Sequence, residues 1–271
     1  MLRAEAISFR YDTAEVLHDV SLAVGHAGPT GVLGPNGSGK TTLLRLMGGL
    51  QTPSAGRITL DGRNLSSYPR GLLARRMATV PQETHLVFDY SVLEIVLMGR
   101  YPHLPTFATE GPVDLEYAAE ALAATGTSDL AARSFMTLSG GEKQRVVIAS
   151  ALAQLFTADD TTSSSYVLLL DEPTASLDLA YQLEIASLIR ELSSRGIAML
   201  ISTHDLSLAA SVCRELVLLR HGRALAAGPT RDVLTEDMVR SLYDVDAQVT
   251  RHPTTGDVLV IPVGRTHEHT Q

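Results

Sequence analysis

The chain has 271 residues, 45% hydrophobic and 19% charged, enough to bury the core of one large domain or two modest ones. Lys and Arg total 22 against 30 Asp and Glu, and the formal charge of −8 offers no general attraction to nucleic-acid phosphates or anionic lipid. A single cysteine, Cys213, excludes an intrachain disulfide and any multi-cysteine zinc or iron–sulfur site, and it reads as a small apolar residue on a helix.

In chain order, AEAISFRYDTAEVLHDVSLAVGHAGP alternates short apolar stretches with turn signals, which predicts a small, largely antiparallel N-terminal sheet. Thr30–Leu33 reads as a short strand, followed by a glycine-rich turn and a helix from about Lys40 to Leu50. A strand pair around Gly56–Asp61 turns at Asp61-Gly62, and Met77–Val80 is a strand ending at Pro81-Gln82. Between about Ser91 and Ala153, SVLEIVLMGR, VDLEYAAEALAATG and GEKQRVVIASALAQL repeat apolar residues at helical spacing, predicting a helical insertion. Strand character returns at Tyr166–Leu170, Ile197–Ile201 and Leu216–Leu219, separated by helices Leu179–Ser193 and Asp205–Cys213. Such alternation with apolar strands predicts a buried parallel sheet.

Thr157–Ser165 is nearly devoid of large apolar side chains and reads as a flexible surface loop. After about Asp237 a short helix and a last hairpin precede a GRTHEHTQ tail expected to be disordered. The longest aliphatic stretches fall far short of a spanning helix, and MLRAEAISFRYD lacks the apolar core of a secretory signal. A soluble, cytoplasmic chain is the expectation.

Gly34–Thr42 reads GPNGSGKTT, a full match to G-x-x-x-x-G-K-[ST] placed between a strand and a helix. Gly34, Gly37 and Gly39 allow a tight turn through Pro35, Asn36 and Ser38, so successive N–H groups of the loop (Pro35 has none) converge on an anion at a helix N-terminus. Lys40 can reach the β- and γ-phosphates of a nucleotide, the Thr41 hydroxyl can ligate Mg²⁺, and Thr42 closes the motif. Asp171 and Glu172 follow a buried strand, at the end where ligands of parallel sheets bind. Asp171 is the candidate Mg²⁺ holder, through water, and Glu172 the general base or water-orienting group.

Leu138–Glu142 reads LSGGE, and with GPNGSGKTT before it and LLLDEPTASLD after it the chain resembles an ATP-binding cassette (ABC) ATPase over about residues 2–235. The resemblance implies an α/β fold: a P-loop (RecA-like) parallel-sheet core with an N-terminal antiparallel β subdomain and an inserted α-helical subdomain. It implies one ATPase domain over 1–237, with core and antiparallel sheet at 1–88 and 154–237, a helical subdomain at about 89–153, and an extension at 238–271. It also implies a head-to-tail dimer in which ATP meets the phosphate loop of one copy and Ser139, Gly140 and Gly141 of the other.

By the same resemblance, Tyr11 corresponds to the aromatic that stacks on adenine, a strand-face core tyrosine being its alternative. Gln82 corresponds to the glutamine linking Mg²⁺ and attacking water to the transporter interface. Ser176-Leu177-Asp178 matches the segment that crosses the dimer interface, and His204 the histidine that contacts the γ-phosphate. Ser150 stands where family members often carry Arg, and the 157–165 stretch is an extension also found in haem-importer ATPases.

Gly99–His103, GRYPH, resembles importer ATPases for iron–siderophores, haem and cobalamin, in the region that receives a transporter's coupling helix. The implied system has a membrane permease contacted near 82–107 and an external substrate-binding protein, with this chain on the cytoplasmic face of the membrane. His85 and His103 suit protein contact better than haem ligation. Alternatives are a soluble ATPase of iron–sulfur-cluster assembly and a transporter ATPase for another substrate. A DNA-repair cassette would need a coiled-coil insertion for which the spacing from Lys40 to Ser139 leaves no room, and its nucleic-acid partner is disfavoured by charge. The role of the extension stays open.

Overall fold

The computed structural model describes residues 1–84, 88–157, 166–254 and 256–265, so His85, the predicted 157–165 loop beyond Thr157 and the tail beyond Arg265 lie outside the described residues. Leu2–Tyr11 (β1) and Ala14–Val24 (β2) pair antiparallel, and their alternating apolar residues, among them Leu2, Ile7, Leu17 and Val20, turn to one side. Thr30–Leu33 (β3) is buried throughout and leads through the glycine-rich turn into Lys40–Met47 (α1). This helix stops short of the predicted Leu50 because Gly48 caps it and Gly49 turns the chain away. Ala55–Leu60 (β4) pairs with β1 and, across Asp61-Gly62, with Arg63–Asn64 (β5), giving the sheet order β2-β1-β4-β5.

Arg70–Ala74 (α2) precedes Met77–Val80 (β6). Val92–Met98 (α3), Pro112–Ala124 (α4) and Gly140–Leu155 (α5) then intervene before Val167–Asp171 (β7). Leu179–Ser194 (α6), Ala198–Thr203 (β8), Leu206–Val212 (α7), Glu215–Arg220 (β9) and Arg223–Pro229 (β10) complete a six-stranded sheet of order β10-β9-β3-β8-β7-β6. All neighbours in it are parallel except β10 with β9. Thr230–Val233 (α8), Glu236–Tyr243 (α9) and the hairpin Val245–Arg251 (β11) with Val258–Arg265 (β12) end the described chain, and Gly264 and Arg265, expected in the tail, belong to β12.

The six-stranded sheet separates two apolar cores. Along β7, Leu168 and Leu170 face the helices while Val167 and Leu169 face α1 and the antiparallel sheet; on β8, Met199 and Ile201 oppose Ala198 and Leu200 in the same way. The helical region is fastened by polar contacts as well. Ser150 Oγ donates to the Ile95 carbonyl at 2.9 Å, so a serine, where relatives of the implied family often carry arginine, joins α5 to α3. Arg100 is only 3% exposed; its Nη1 donates to the Ala153 and Phe156 carbonyls at 2.6 and 2.7 Å, and its Nε to Asp114 at 3.0 Å. Within GRYPH, Gly99 and Arg100 are therefore internal and half-buried His103 bonds the Gln154 carbonyl, whereas Tyr101 faces outward.

Cys213 closes α7 and is buried against Gly31, and that burial pushes its thiol up to about 12. A thiol reagent at pH 8 is expected to leave the native chain unlabelled and to titrate one thiol after denaturation. Rapid stoichiometric labelling of the native chain would contradict the packing.

Candidate functional site

The parallel ladder sets Leu33 beside Thr203, Asp171 beside Ser202, and Val80 beside Leu170. The residues that leave these strands, Gly34, Gln82, Glu172 and His204, therefore share one edge of the sheet. This is the carboxyl edge, where the connecting loops are free to bind.

The turn after β3 needs its glycines. Gly37 and Gly39 sit at φ 78° and 104°, and a Cβ on Gly34 would stand 2.1 Å from the Leu219 carbonyl oxygen. Lys40 opens α1 and is 5% exposed. Its Nζ donates to the Gly34 and Pro35 carbonyls at 2.9 and 3.2 Å and lies 3.1 Å from Glu172 Oε1. Val16, Asn36, Gly37, Gly39, Lys40, Thr41, Thr42, Gln82 and Glu172 enclose a cleft of about 400 Å³.

Asp171 accepts hydrogen bonds from Ser202 Oγ and, at 3.3 Å, from Thr41 Oγ1. The Ser202 hydroxyl also accepts from the Glu172 N–H at 3.0 Å, and the Ser202 carbonyl accepts from the same N–H at 3.1 Å. These contacts hold Glu172 at φ 47°, a left-handed backbone that is unfavourable for a non-glycine residue. Its side chain is 9% exposed, and its carboxylate meets three partners: Lys40 on Oε1, with Gln82 Nε2 at 3.4 Å and His204 Nδ1 at 3.0 Å on Oε2. Lys40 of the glycine-rich motif, Asp171 and Glu172 after their apolar strand, and Gln82 and His204, which the family resemblance had suggested, are thus brought together.

A second set stands apart. Ser139 caps α5 in a reciprocal box, its N–H donating to Glu142 Oε2 at 2.7 Å and its Oγ accepting from the Glu142 N–H at 3.3 Å. Tyr181 joins this segment to the Asp178 segment: its hydroxyl lies 3.2 Å from Ser139 Oγ, its ring fills the space a Cβ on Gly141 would need, and its N–H donates to Asp178 Oδ1 at 3.2 Å. Among the described residues, Ser139, Gly140, Gly141 and Asp178 do not line the cleft of their own chain. Tyr11 is exposed rather than in the core; the Gln51 amide donates to its hydroxyl at 2.8 Å and, with Thr42 and Arg45 behind it, holds the phenol below its ordinary value.

Val16, Ser202 and Tyr181 were not singled out by sequence. Ser202 lies inside an apolar strand, and only the β7–β8 register reveals that its hydroxyl serves both acidic residues. Ser202→Ala should cost about 1–3 kcal/mol in urea unfolding, because it takes from the buried Asp171 carboxylate one of its two hydroxyl partners. A loss below about 0.5 kcal/mol, the range of ordinary surface changes, would show that the bridge is dispensable.

A family model described as ABC transporter matches residues 17–175. A cobalamin import ATP-binding protein of Halobacterium salinarum is 43% identical over 249 residues, covering 92% of this chain, and the chain spans 60% of that relative's length. A hemin import ATP-binding protein of Pseudomonas entomophila is 42% identical over 261 residues, covering 96% of this chain and 99% of the relative. Among solved structures, an inward-facing ABC transporter assigned to the metal-chelate type aligns with TM-score 0.80 at 32% identity, covering 97% of this chain and 96% of its own. The dimeric structure of a bacterial ABC transporter cassette aligns with TM-score 0.71 at 25% identity, covering 85% and 99%.

Proposed function

This chain belongs to the ABC transporter family, and from that premise we propose that it is the ATP-hydrolysing subunit of an importer for an iron chelate, haem or ferric siderophore, or for cobalamin. The observation that carries the ATPase reading is the convergence of Lys40, Gln82 and His204 on the buried Glu172 carboxylate at the mouth of the phosphate loop.

ATP phosphates lie against the N–H groups of Gly34–Thr42 and take the Lys40 ammonium, competing with Glu172 for it. Glu172, released from that cation, orients the attacking water and accepts its proton as the bond to the γ-phosphate forms and the bond to the ADP oxygen breaks. His204 and Gln82, both already within reach of Glu172 Oε2, hold the γ-phosphate and the water on either side of it. Mg²⁺ fits the donors present: the Thr41 hydroxyl and Asp171 carboxylate stand 3.3 Å apart, both hard oxygen ligands, and the Gln82 amide adds a third. Held there by Thr41, Asp171 and Gln82, the ion would supply positive charge against the nucleotide phosphates.

Ser139, Gly140, Gly141 and Asp178 lie outside the cleft of their own chain, which supports their use by a second copy in a head-to-tail dimer, as does the dimeric cassette of the same fold. The exposure of Tyr11 supports its use as the aromatic that stacks on adenine. Among the described residues no helix is long and apolar enough to cross a membrane, and a separate permease is the proposed path for the cargo. Exposed Phe88, Tyr101 and Phe107 support its contact at 82–107, on the cytoplasmic face of the membrane, and an external binding protein completes the proposed system.

Glu172→Gln should bind ATP and accumulate ATP-dependent dimers while hydrolysis falls about 100-fold or more; wild-type-like turnover would overturn the base assignment. Lys40→Ala should weaken binding of a fluorescent ATP analogue by about tenfold or more, since it removes a charge-assisted contact. Stimulation of ATPase by hemin, a ferric siderophore or cobalamin in the permease complex identifies the cargo, and indifference to all three would sink the importer class.

A further inference from the structure

The extension beyond residue 237 reaches back to the catalytic edge. Tyr243, the last residue of α9, donates its hydroxyl to the His204 carbonyl at 3.1 Å. We propose that Tyr243 is a positioning residue: it fixes the backbone of His204 and so aims the imidazole at Glu172. This inference rests on the ATPase reading of the site.

His204 needs such support because its own side chain has little packing. It is 51% exposed, and its Nδ1 contact with Glu172 is what directs the ring. The backbone before it is fixed by β8, where the Thr203 carbonyl accepts from the Gly34 N–H at 3.3 Å and Thr203 Oγ1 from the Asp205 N–H at 3.0 Å. The backbone after it is fixed by Asp205, whose carboxylate caps α7 through the Ser207 and Leu208 N–H groups at 2.7 and 3.1 Å. The peptide carbonyl of His204 itself is held by Tyr243.

Tyr243 is anchored well enough to act as a fixed point. Its ring packs on the larger core next to buried Val239 and Leu242 of the same helix. Asp244, which ends α9 at φ 56°, grips Arg220 of β9 through two bonds of 3.1 and 2.6 Å, and Arg220 also reaches the Ser241 carbonyl. Burial first, and then the nearby Asp205 and Glu172 charges, push the phenol above its ordinary range, so it stays protonated and remains a donor.

The experiment compares Tyr243→Phe, which keeps the ring and removes the hydroxyl, with the wild type and with Glu172→Gln in one assay. The expected result is a kcat about fivefold or more lower, with KM for ATP within about twofold and an unchanged melting temperature, since a misaimed group costs turnover rather than binding. A tyrosine that only packs would leave kcat unchanged in this variant. The proposal is overturned if kcat stays within about twofold of wild type, or if any fall comes with a raised KM or lost stability. Should Glu172→Gln also hydrolyse ATP normally, the reading of the site fails; if it is inactive while Tyr243→Phe behaves as wild type, only this inference does.

Discussion

The structure depends on the register of one parallel ladder. Adjacent strands β3, β8, β7 and β6 end level with one another, so four chain segments separated by dozens of residues emerge at a common edge. That register is enforced by the two cores on opposite faces of the sheet. A slip of one residue in β7 would send Leu168 and Leu170 to the wrong core, exchange them with Val167 and Leu169, and carry Asp171 away from Ser202. Apolar packing far from the chemistry thus sets the spacing of the polar groups.

Those polar groups solve a problem that burial creates. A carboxylate and an ammonium withdrawn from water, Glu172 at 8% and Lys40 at 5% exposure, are costly unless every remaining hydrogen-bonding position is filled. Lys40 finds two carbonyls and the carboxylate; Glu172 finds the lysine, an amide and an imidazole; Asp171 finds two hydroxyls. An anion entering the cleft competes within this network, so binding and rearrangement of Glu172 are one event.

Much of this was legible in the sequence because it is written locally. GPNGSGKTT between a strand and a helix, and two acidic residues after an apolar strand, announce themselves within ten residues, and the alternation of strand and helix patterns gave the parallel sheet. What escaped depends on contacts that no local pattern encodes. Ser202 meets Asp171 across 31 positions, Tyr243 meets His204 across 39, and Tyr181 meets Ser139 across 42. Within GRYPH the structure separates roles that no local pattern distinguishes: Arg100 and His103 bond the end of α5, and Tyr101 faces the surface. The C-terminal extension, legible as a short helix and a hairpin but not in its attachments, is tied to β9 and to the turn after β8.

Arg100 gives the helical region the character of a strut. Its guanidinium bonds the segment just before exposed Tyr101 to the carboxyl end of α5, and α4 to both through Asp114. The opposite end of α5, a rod of 16 residues and therefore about 24 Å, begins at the Ser139 cap. Arg100, together with His103 on the Gln154 carbonyl, therefore ties the segment that presents Tyr101 to the same rod whose other end carries the Ser139 cap.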